Sequence, residues 1–156
     1  MSMLSSLLPK HADDTYRGYK VALWLLALVL LMKVGISLGS IFNGRAAAGS
    51  ADGIPLDTFT PAGAQAVVTL FALLGISNLM LCFVGILVLV RYRAFVPLMF
   101  ALLVLEHLSR KLALLMLPIE TTGAPLGTVV NLVILAVLIA GLGLSLWRRS
   151  GLQDEE

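Results

Sequence analysis

The chain has 156 residues, of which 59% are hydrophobic and only 13% are charged. Soluble domains contain about 25% charged residues, so this composition argues against a water-soluble fold and indicates a protein whose solvent is lipid. The formal net charge of +2 and the lack of a basic tract argue against nucleic acid as a partner. The single cysteine, Cys82, excludes an intramolecular disulfide and is interpreted as a small packing residue.

Four apolar runs follow one another along the chain, and each is long enough to cross a bilayer as a helix of about 20 residues. They cover about residues 19–42, 64–90, 94–117 and 126–147. Pro61 and Pro125 stand just before the second and fourth runs, where a missing N–H is tolerated, and Pro118 closes the third. The sequence therefore predicts an all-α polytopic membrane protein, a four-transmembrane-helix bundle in which residues 1–156 form a single membrane domain.

The connections between these runs are unequal in length. Residues 91–93 form a tight turn, whereas residues 43–63, called the outer loop below, form a long segment rich in Gly, Ala and Pro. Long loops are often functional. The loop carries Arg45, Asp52 and Asp57, which are interpreted either as solvated charges or as a cap that folds inward, with Arg45 meeting one of the carboxylates.

Lys and Arg residues in the short flanks predict the orientation of the chain, because cytoplasmic flanks carry the excess of positive charge. The outer loop has Arg45 alone, whereas seven basic residues flank the opposite ends of the helices: Lys10, Arg17, Lys20, Arg91, Arg93, Arg148 and Arg149. Both termini are therefore expected in the cytoplasm. Size and an Ala/Leu-rich composition favour the bacterial inner (plasma) membrane.

Five ionisable residues lie inside the predicted spans, where a charge near the bilayer centre costs about 2.5–3.5 kcal/mol and usually faces the bundle interior. At a rise of about 1.5 Å per residue, Lys33, Glu106 and Arg110 lie about 19 to 25 Å from the inner ends of their helices. Asn131 lies at the same depth, and Ser37 shares the stripe of Lys33. These residues form a predicted polar layer in the outer half of the bilayer: Lys33, Ser37, Glu106, His107, Arg110, Lys111 and Asn131.

Pairing removes much of the cost of placing these charges in hydrocarbon. We therefore predict an interhelical Lys33–Glu106 ion pair, with Arg110 as a competitor for the same carboxylate. The alternative is that the charges only hold the helices in register or reach the interface by snorkelling. Because the cations of the layer outnumber Glu106, its natural guest is an anion.

His107 has two interpretations. It is either a proton-relay group, since the ordinary pKa of histidine is near neutrality, or an interfacial histidine packed beside Lys111. One membrane histidine cannot provide the two axial ligands of a bis-histidine haem, and His11 lies in the N-terminal tail. We expect no metal and no cofactor.

Small residues on two helices predict close helix contacts. Gly35 and Gly39 form a GxxxG pair in the first helix, and Ala136 and Ala140 give the fourth helix a similar stripe. Packing within the bundle is the simpler interpretation. Contact with a second copy or with a partner membrane protein is the alternative.

No motif identifies a reaction, since a Ser-His-Asp set, a phosphate loop and paired metal ligands are all missing from the sequence. The chain is therefore interpreted as a binding or accessory membrane protein whose net-cationic polar layer receives an anionic lipid head group or a partner helix. The alternatives are a small oligomeric transporter or channel that uses Glu106 and Lys33, and a membrane enzyme acting on a lipid or quinone. The enzyme would use Glu106 or His107 as an acid–base group, and it is disfavoured because a second catalytic residue is hard to name unless the loop folds inward and brings Asp52 or Asp57.

Overall fold

The structure is a computed structural model that describes residue 16, residues 18–121 and residues 126–147. Four long helices account for most of that range: α1 (Lys20–Phe42), α2 (Pro61–Arg91), α3 (Val96–Met116) and α4 (Leu126–Leu146). No strand occurs within the described ranges, so the all-α prediction is confirmed there. Several residues used in the sequence predictions lie outside the described residues: Lys10, His11, Arg17, Pro125, Arg148 and Arg149.

Three of the helices, α1, α2 and α4, are long and apolar enough to cross a membrane, which is consistent with an integral membrane protein. The third helix is long enough, at 21 residues, but it is the one that carries Glu106, Arg110 and Lys111. These charges lower its hydropathy and set it apart from its three neighbours. The prediction of four spans is therefore supported for three helices by length and composition.

The ends of the helices follow local sequence signals. Thr60 caps α2, where its Oγ1 accepts a hydrogen bond from the backbone N–H of Gly63 at 3.2 Å, and Pro61 occupies the first helical position. At its other end α2 stops at Arg91, and a short 3-10 turn over Arg93–Phe95 leads directly into α3. The tight connection predicted between the second and third helices is confirmed.

Close packing between helices depends on glycines at two positions of α2. A Cβ atom added at Gly85 would lie 2.6 Å from Cδ2 of Leu30, and one added at Gly75 would lie 2.8 Å from the carbonyl oxygen of Ser37. Cys82, between them, is completely buried in the core, as its interpretation as a packing residue predicts. The glycine stripe of α2 therefore brings α1 and α2 together along much of their length.

The core of the bundle is apolar towards the inner end, which we define as the end where α1 begins and α2 finishes. Phe100 of α3 is fully buried, and its ring lies directly against the backbone of Gly141 in α4. The N-terminal flank also packs there, since the backbone N–H of Tyr19 donates to the carbonyl oxygen of Leu144 at 3.4 Å. The hydroxyl of Tyr16 is buried without a hydrogen-bond partner among the described residues, and burial raises the pKa of Tyr16 to about 12.

The outer loop is more ordered than its composition suggests. It contains a helical turn (Gly44–Ala46), a π-helical turn (Ala47–Ala51) and a 3-10 turn (Leu56–Thr58). Its buried side chains form a small second core against the first turns of α2, made of Ala48, Ile54 and Leu56 with Val67, Val68 and Phe71. The loop is thus a folded cap beside the outer part of α2, which has 31 residues.

The small-residue stripes face outward, which corrects the simpler interpretation made from the sequence. Among the described residues, nothing lies within 4 Å of a Cβ atom added at Gly35 or Gly39. Ala136 and Ala140 of α4 are likewise exposed. A GxxxG pair permits close approach but does not specify a neighbour, and here α1 uses its other side to contact α2. Packing of these stripes within the bundle is therefore wrong, and a contact with another chain stays a prediction.

Candidate functional site

The carboxylate of Glu106 is the centre of the charged residues between α1 and α3. The Nζ atom of Lys33 lies 2.9 Å from Oε2 of Glu106, and the Lys33 side chain is only 3% exposed. The predicted Lys33–Glu106 ion pair is therefore present. Ion pairing across helices is how a buried amine is stabilised where water is excluded.

Arg110 binds the other oxygen of the same carboxylate. Its Nε lies 3.0 Å from Oε1 of Glu106, and the two residues are one helical turn apart on α3. The expectation that Arg110 competes with Lys33 is wrong, because the carboxylate has two oxygens and each cation takes one. The Arg110 side chain is 48% exposed, so this pair lies at the open edge of the site.

His107 completes the cluster from inside the protein. It is 6% exposed, and its Nδ1 lies 2.9 Å from Oε2 of Glu106. Since an ionised carboxylate can only accept hydrogen bonds, Nδ1 carries the proton in this contact. The interpretation of His107 as an interfacial residue beside Lys111 is therefore wrong, and a proton-relay role stays a prediction. We call Lys33, Glu106, His107 and Arg110 the Glu106 cluster.

A chain of neutral hydrogen bonds connects this cluster to α2. The hydroxyl of Ser37 donates to the carbonyl oxygen of Lys33 at 2.7 Å, and Nδ2 of Asn78 donates to Oγ of Ser37 at 2.7 Å. The Oδ1 atom of Asn78 is buried without a hydrogen-bond partner in the part of the chain described here. Asn78 was not among the predicted site residues, although its position on the Gly75/Cys82/Gly85 stripe was a signal that it faces α1.

Two members of the predicted polar layer stay outside the hydrogen-bonded cluster. Lys111 and Asn131 are both half-buried. Within residues 18–121 and 126–147, no hydrogen bond or ion pair joins either of them to Glu106. Lys111 follows Arg110 directly on α3, about 100° farther round the helix.

The outer loop places one of its carboxylates against the first turn of α4. Asp52 is half-buried at the end of the π-helical turn, and its Oδ1 would lie 2.5 Å from a Cβ atom added at Gly127. A glycine at position 127 therefore lets Asp52 approach the first turn of α4. Burial raises the pKa of Asp52, and the positive charge of Arg110 acts in the opposite direction and lowers it.

The other two predicted loop residues do not join the site. Arg45 and Asp57 are exposed, and the described residues contain no ion pair between Arg45 and either Asp52 or Asp57. The prediction that Arg45 meets a loop carboxylate is therefore wrong. Asp52 packs against the first turn of α4, and folding of the loop over the polar layer stays a prediction.

Charges of opposite sign alternate from the interior to the edge of the protein. Lys33 and Arg110 lie on either side of the Glu106 carboxylate, one at each oxygen. Lys33 is buried at the interior end of the cluster, while the side chain of Arg110 is 48% exposed. The arrangement is suited to holding a cationic pair in place for binding a phosphate or carboxylate.

Comparison with family models, with curated proteins and with solved structures finds no match for this chain.

Proposed function

We propose that the chain is a bacterial inner-membrane protein with four spans and cytoplasmic termini, and that it binds the phosphate of a lipid head group through Arg110 and Lys111. Three helices meet the length and hydropathy of a span. With 21 residues, α3 is about 31 Å long, close to the thickness of a hydrocarbon core of about 30 Å. The charges of α3 make it costly to place this helix in a membrane, and the contacts of Glu106 reduce that cost.

Internal pairing makes the charges of α3 compatible with a membrane. Glu106 is bonded by Lys33, His107 and Arg110, so its charge is not left to the lipid. Arg110 and Lys111 lie in the last two turns of α3, where long basic side chains can extend to the head-group region. A lipid phosphate at that level is the natural anion for them.

The observation that carries the proposal is the half-exposed guanidinium of Arg110, held on one side by Glu106. Its Nε lies 3.0 Å from Oε1 of Glu106, and among the described residues this carboxylate is the ion-pair partner of the guanidinium. An arginine has five N–H donors in a rigid plane, and its remaining groups suit bidentate binding of a phosphate. Glu106 fixes the orientation of this plane, which lowers the entropy lost when a ligand binds.

The proposal predicts that Arg110→Ala reduces the amount of phospholipid retained on the purified protein. The measurement is native mass spectrometry of the full chain after extraction into detergent, with lipid-bound and lipid-free peaks compared. Arg91→Ala is the matched control, because Arg91 is also exposed at a helix end but lies at the inner end of α2. Equal lipid retention by wild type and Arg110→Ala contradicts the proposed function.

A further inference from the structure

His107 differs from the other members of the Glu106 cluster because imidazole is the side chain that commonly changes its charge between pH 5 and 8. It is 6% exposed, and its Nδ1 lies 2.9 Å from Oε2 of Glu106. Since an ionised carboxylate only accepts, the neutral ring keeps its proton on Nδ1 and leaves Nε2 as an acceptor. Among the residues that the structure describes, no hydrogen bond reaches Nε2. This nitrogen is therefore where the cluster can take up a proton.

Such a proton would join two cations that already contact the same carboxylate. Nζ of Lys33 and Nδ1 of His107 both lie 2.9 Å from Oε2 of Glu106, and Nε of Arg110 lies 3.0 Å from Oε1. With His107 neutral, the two cations exceed the carboxylate by one positive charge. A proton on Nε2 makes that excess two, and a second anion nearby would relieve the repulsion.

The elements around His107 place no second anion at its level in the part of the chain described here. The antiparallel helices α3 and α4, with Phe100 against Gly141, bring His107 level with Ile134, and Leu126–Leu146 contains no ionisable side chain. Asp52 lies beside Gly127, about 10 Å farther out along α4. The charged and titratable groups of the neighbouring elements are Lys33 on α1, Cys82 on α2, Glu106, Arg110 and Lys111 on α3, and Asp52 of the outer loop. A second anion for the cluster would therefore be a guest.

A lipid phosphate on Arg110 is such a guest. Arg110 is three residues from His107 on α3, and the two residues contact the two oxygens of one carboxylate. When the phosphate and a proton are both bound, the excess is again one positive charge, as in the empty site with a neutral ring. Each guest should therefore raise the affinity for the other, because coupling between two sites is reciprocal.

We propose that Nε2 of His107 takes up a proton from the outer aqueous side when a lipid phosphate binds Arg110, so that the site binds an anion and a proton together. This inference rests on the proposed function and adds its regulation by pH. Arg110 contacts the phosphate, His107 binds the proton, and Glu106 positions both side chains.

The test is isothermal titration calorimetry of the full-length protein in mixed micelles with phosphatidylglycerol, whose phosphodiester keeps its single negative charge at these pH values. Affinity is expected to rise about tenfold from about pH 8 to about pH 5.5, as for two unit charges about 10 Å apart at an effective dielectric constant of about 20. Buffers of different ionisation enthalpy give the number of protons taken up, at most about one per lipid. His107→Gln should bind the lipid without either effect, and His11→Gln, at the other histidine of the sequence, should keep both.

A second measurement leaves the site unchanged, so it does not depend on the folding of His107→Gln. In His11→Gln protein with 15N-labelled histidine, the imidazole signals come from His107 alone. Addition of phosphatidylglycerol at a fixed pH near neutrality should increase the protonated fraction of this ring. An unchanged fraction overturns the coupling.

The outcomes separate the two proposals. If Arg110→Ala weakens binding while wild type shows neither pH dependence nor proton uptake, the coupling is overturned and the phosphate site stands. If Arg110→Ala weakens binding at no pH, both proposals fall. If Asp52→Asn loses the proton uptake and His107→Gln keeps it, the role of His107 is overturned. If soluble glycerophosphoglycerol displaces the lipid at equal concentration, the site recognises a free phosphodiester and the assignment to a membrane lipid is overturned.

Discussion

At the inner end of the bundle the helices meet through apolar side chains, as where Phe100 rests on the backbone of Gly141. Farther out, α1 and α3 meet through the Lys33–Glu106 ion pair, with His107 and Arg110 on the same carboxylate. Removing an apolar side chain leaves a cavity, whereas removing one partner of an ion pair leaves a buried charge that disappears when the other partner is removed too. The two regions should therefore respond differently to single and paired substitutions.

The largest effect is expected from Glu106→Gln, which leaves the amine of Lys33 buried without its counter-charge. Breaking a buried ion pair costs about 3–5 kcal/mol, and we expect a loss of that order in the free energy of unfolding measured by SDS titration in mixed micelles. The double variant Lys33→Met/Glu106→Gln should recover most of the loss, because no charge is then buried alone. If Glu106→Gln is as stable as wild type, the Lys33–Glu106 ion pair contributes no such free energy of unfolding.

Phe100→Ala tests the apolar region and is expected to cost about 3 kcal/mol in the same titration, through the cavity left beside Gly141. Unlike the loss at the ion pair, this loss of stability should not be recovered by a second substitution at a charged residue. Leu115→Ala is the control, because Leu115 is 80% exposed at the outer end of α3. Equal losses for the two variants would contradict the proposed core at the inner end.

The smallest effect is expected at Tyr16, whose buried hydroxyl has no hydrogen-bond partner among the described residues. Tyr16→Phe should stabilise the protein by up to about 1 kcal/mol, since it removes an unsatisfied polar group. The pKa of Tyr16 rises from its ordinary value of 10.0 to about 12 on folding, so the unfolded chain loses its proton first. Wild type should therefore lose stability between about pH 10 and 12, relative to its value below pH 10.

That pH dependence can be checked by thermal unfolding of wild type and Tyr16→Phe at a series of alkaline pH values. The difference in stability between the two proteins should widen as the pH rises through this range. A constant difference would mean that the hydroxyl ionises equally in the folded and unfolded chains.

The sequence was most informative where physical cost restricts the choice of partner. A lysine in an apolar helix needs an anion, and Glu106 was the acidic residue at the right depth, so the Lys33–Glu106 pair could be predicted. The contact of His107 could not be predicted in the same way, because its ring could have packed against Glu106 or against Lys111, which are both its neighbours on α3. The polar layer stays a prediction, and which of its members touch depends on side-chain directions that spacing does not specify.

Contacts made by neutral or small residues were the least predictable. The hydrogen bond from Asn78 to Ser37 and the approach of Asp52 to Gly127 both depend on how elements far apart in the chain are arranged. The GxxxG pair of α1 is a strong general signal for close helix contact, but the motif does not specify which helix makes that contact. A glycine in the sequence shows that another segment can approach the backbone closely, and only the folded structure shows which segment does so.

In the proposed membrane arrangement, the pairing of Glu106 with Lys33 also orders the biogenesis of the protein. The ribosome makes α1 long before α3, so the lysine is already in the bilayer when the glutamate leaves the translocon. The third segment then enters the lipid beside Lys33, which is already in place, and it need not be hydrophobic enough to insert without that partner. Its retention should therefore depend on the first segment, and a truncated chain that starts after α1 should release α3 to the aqueous side.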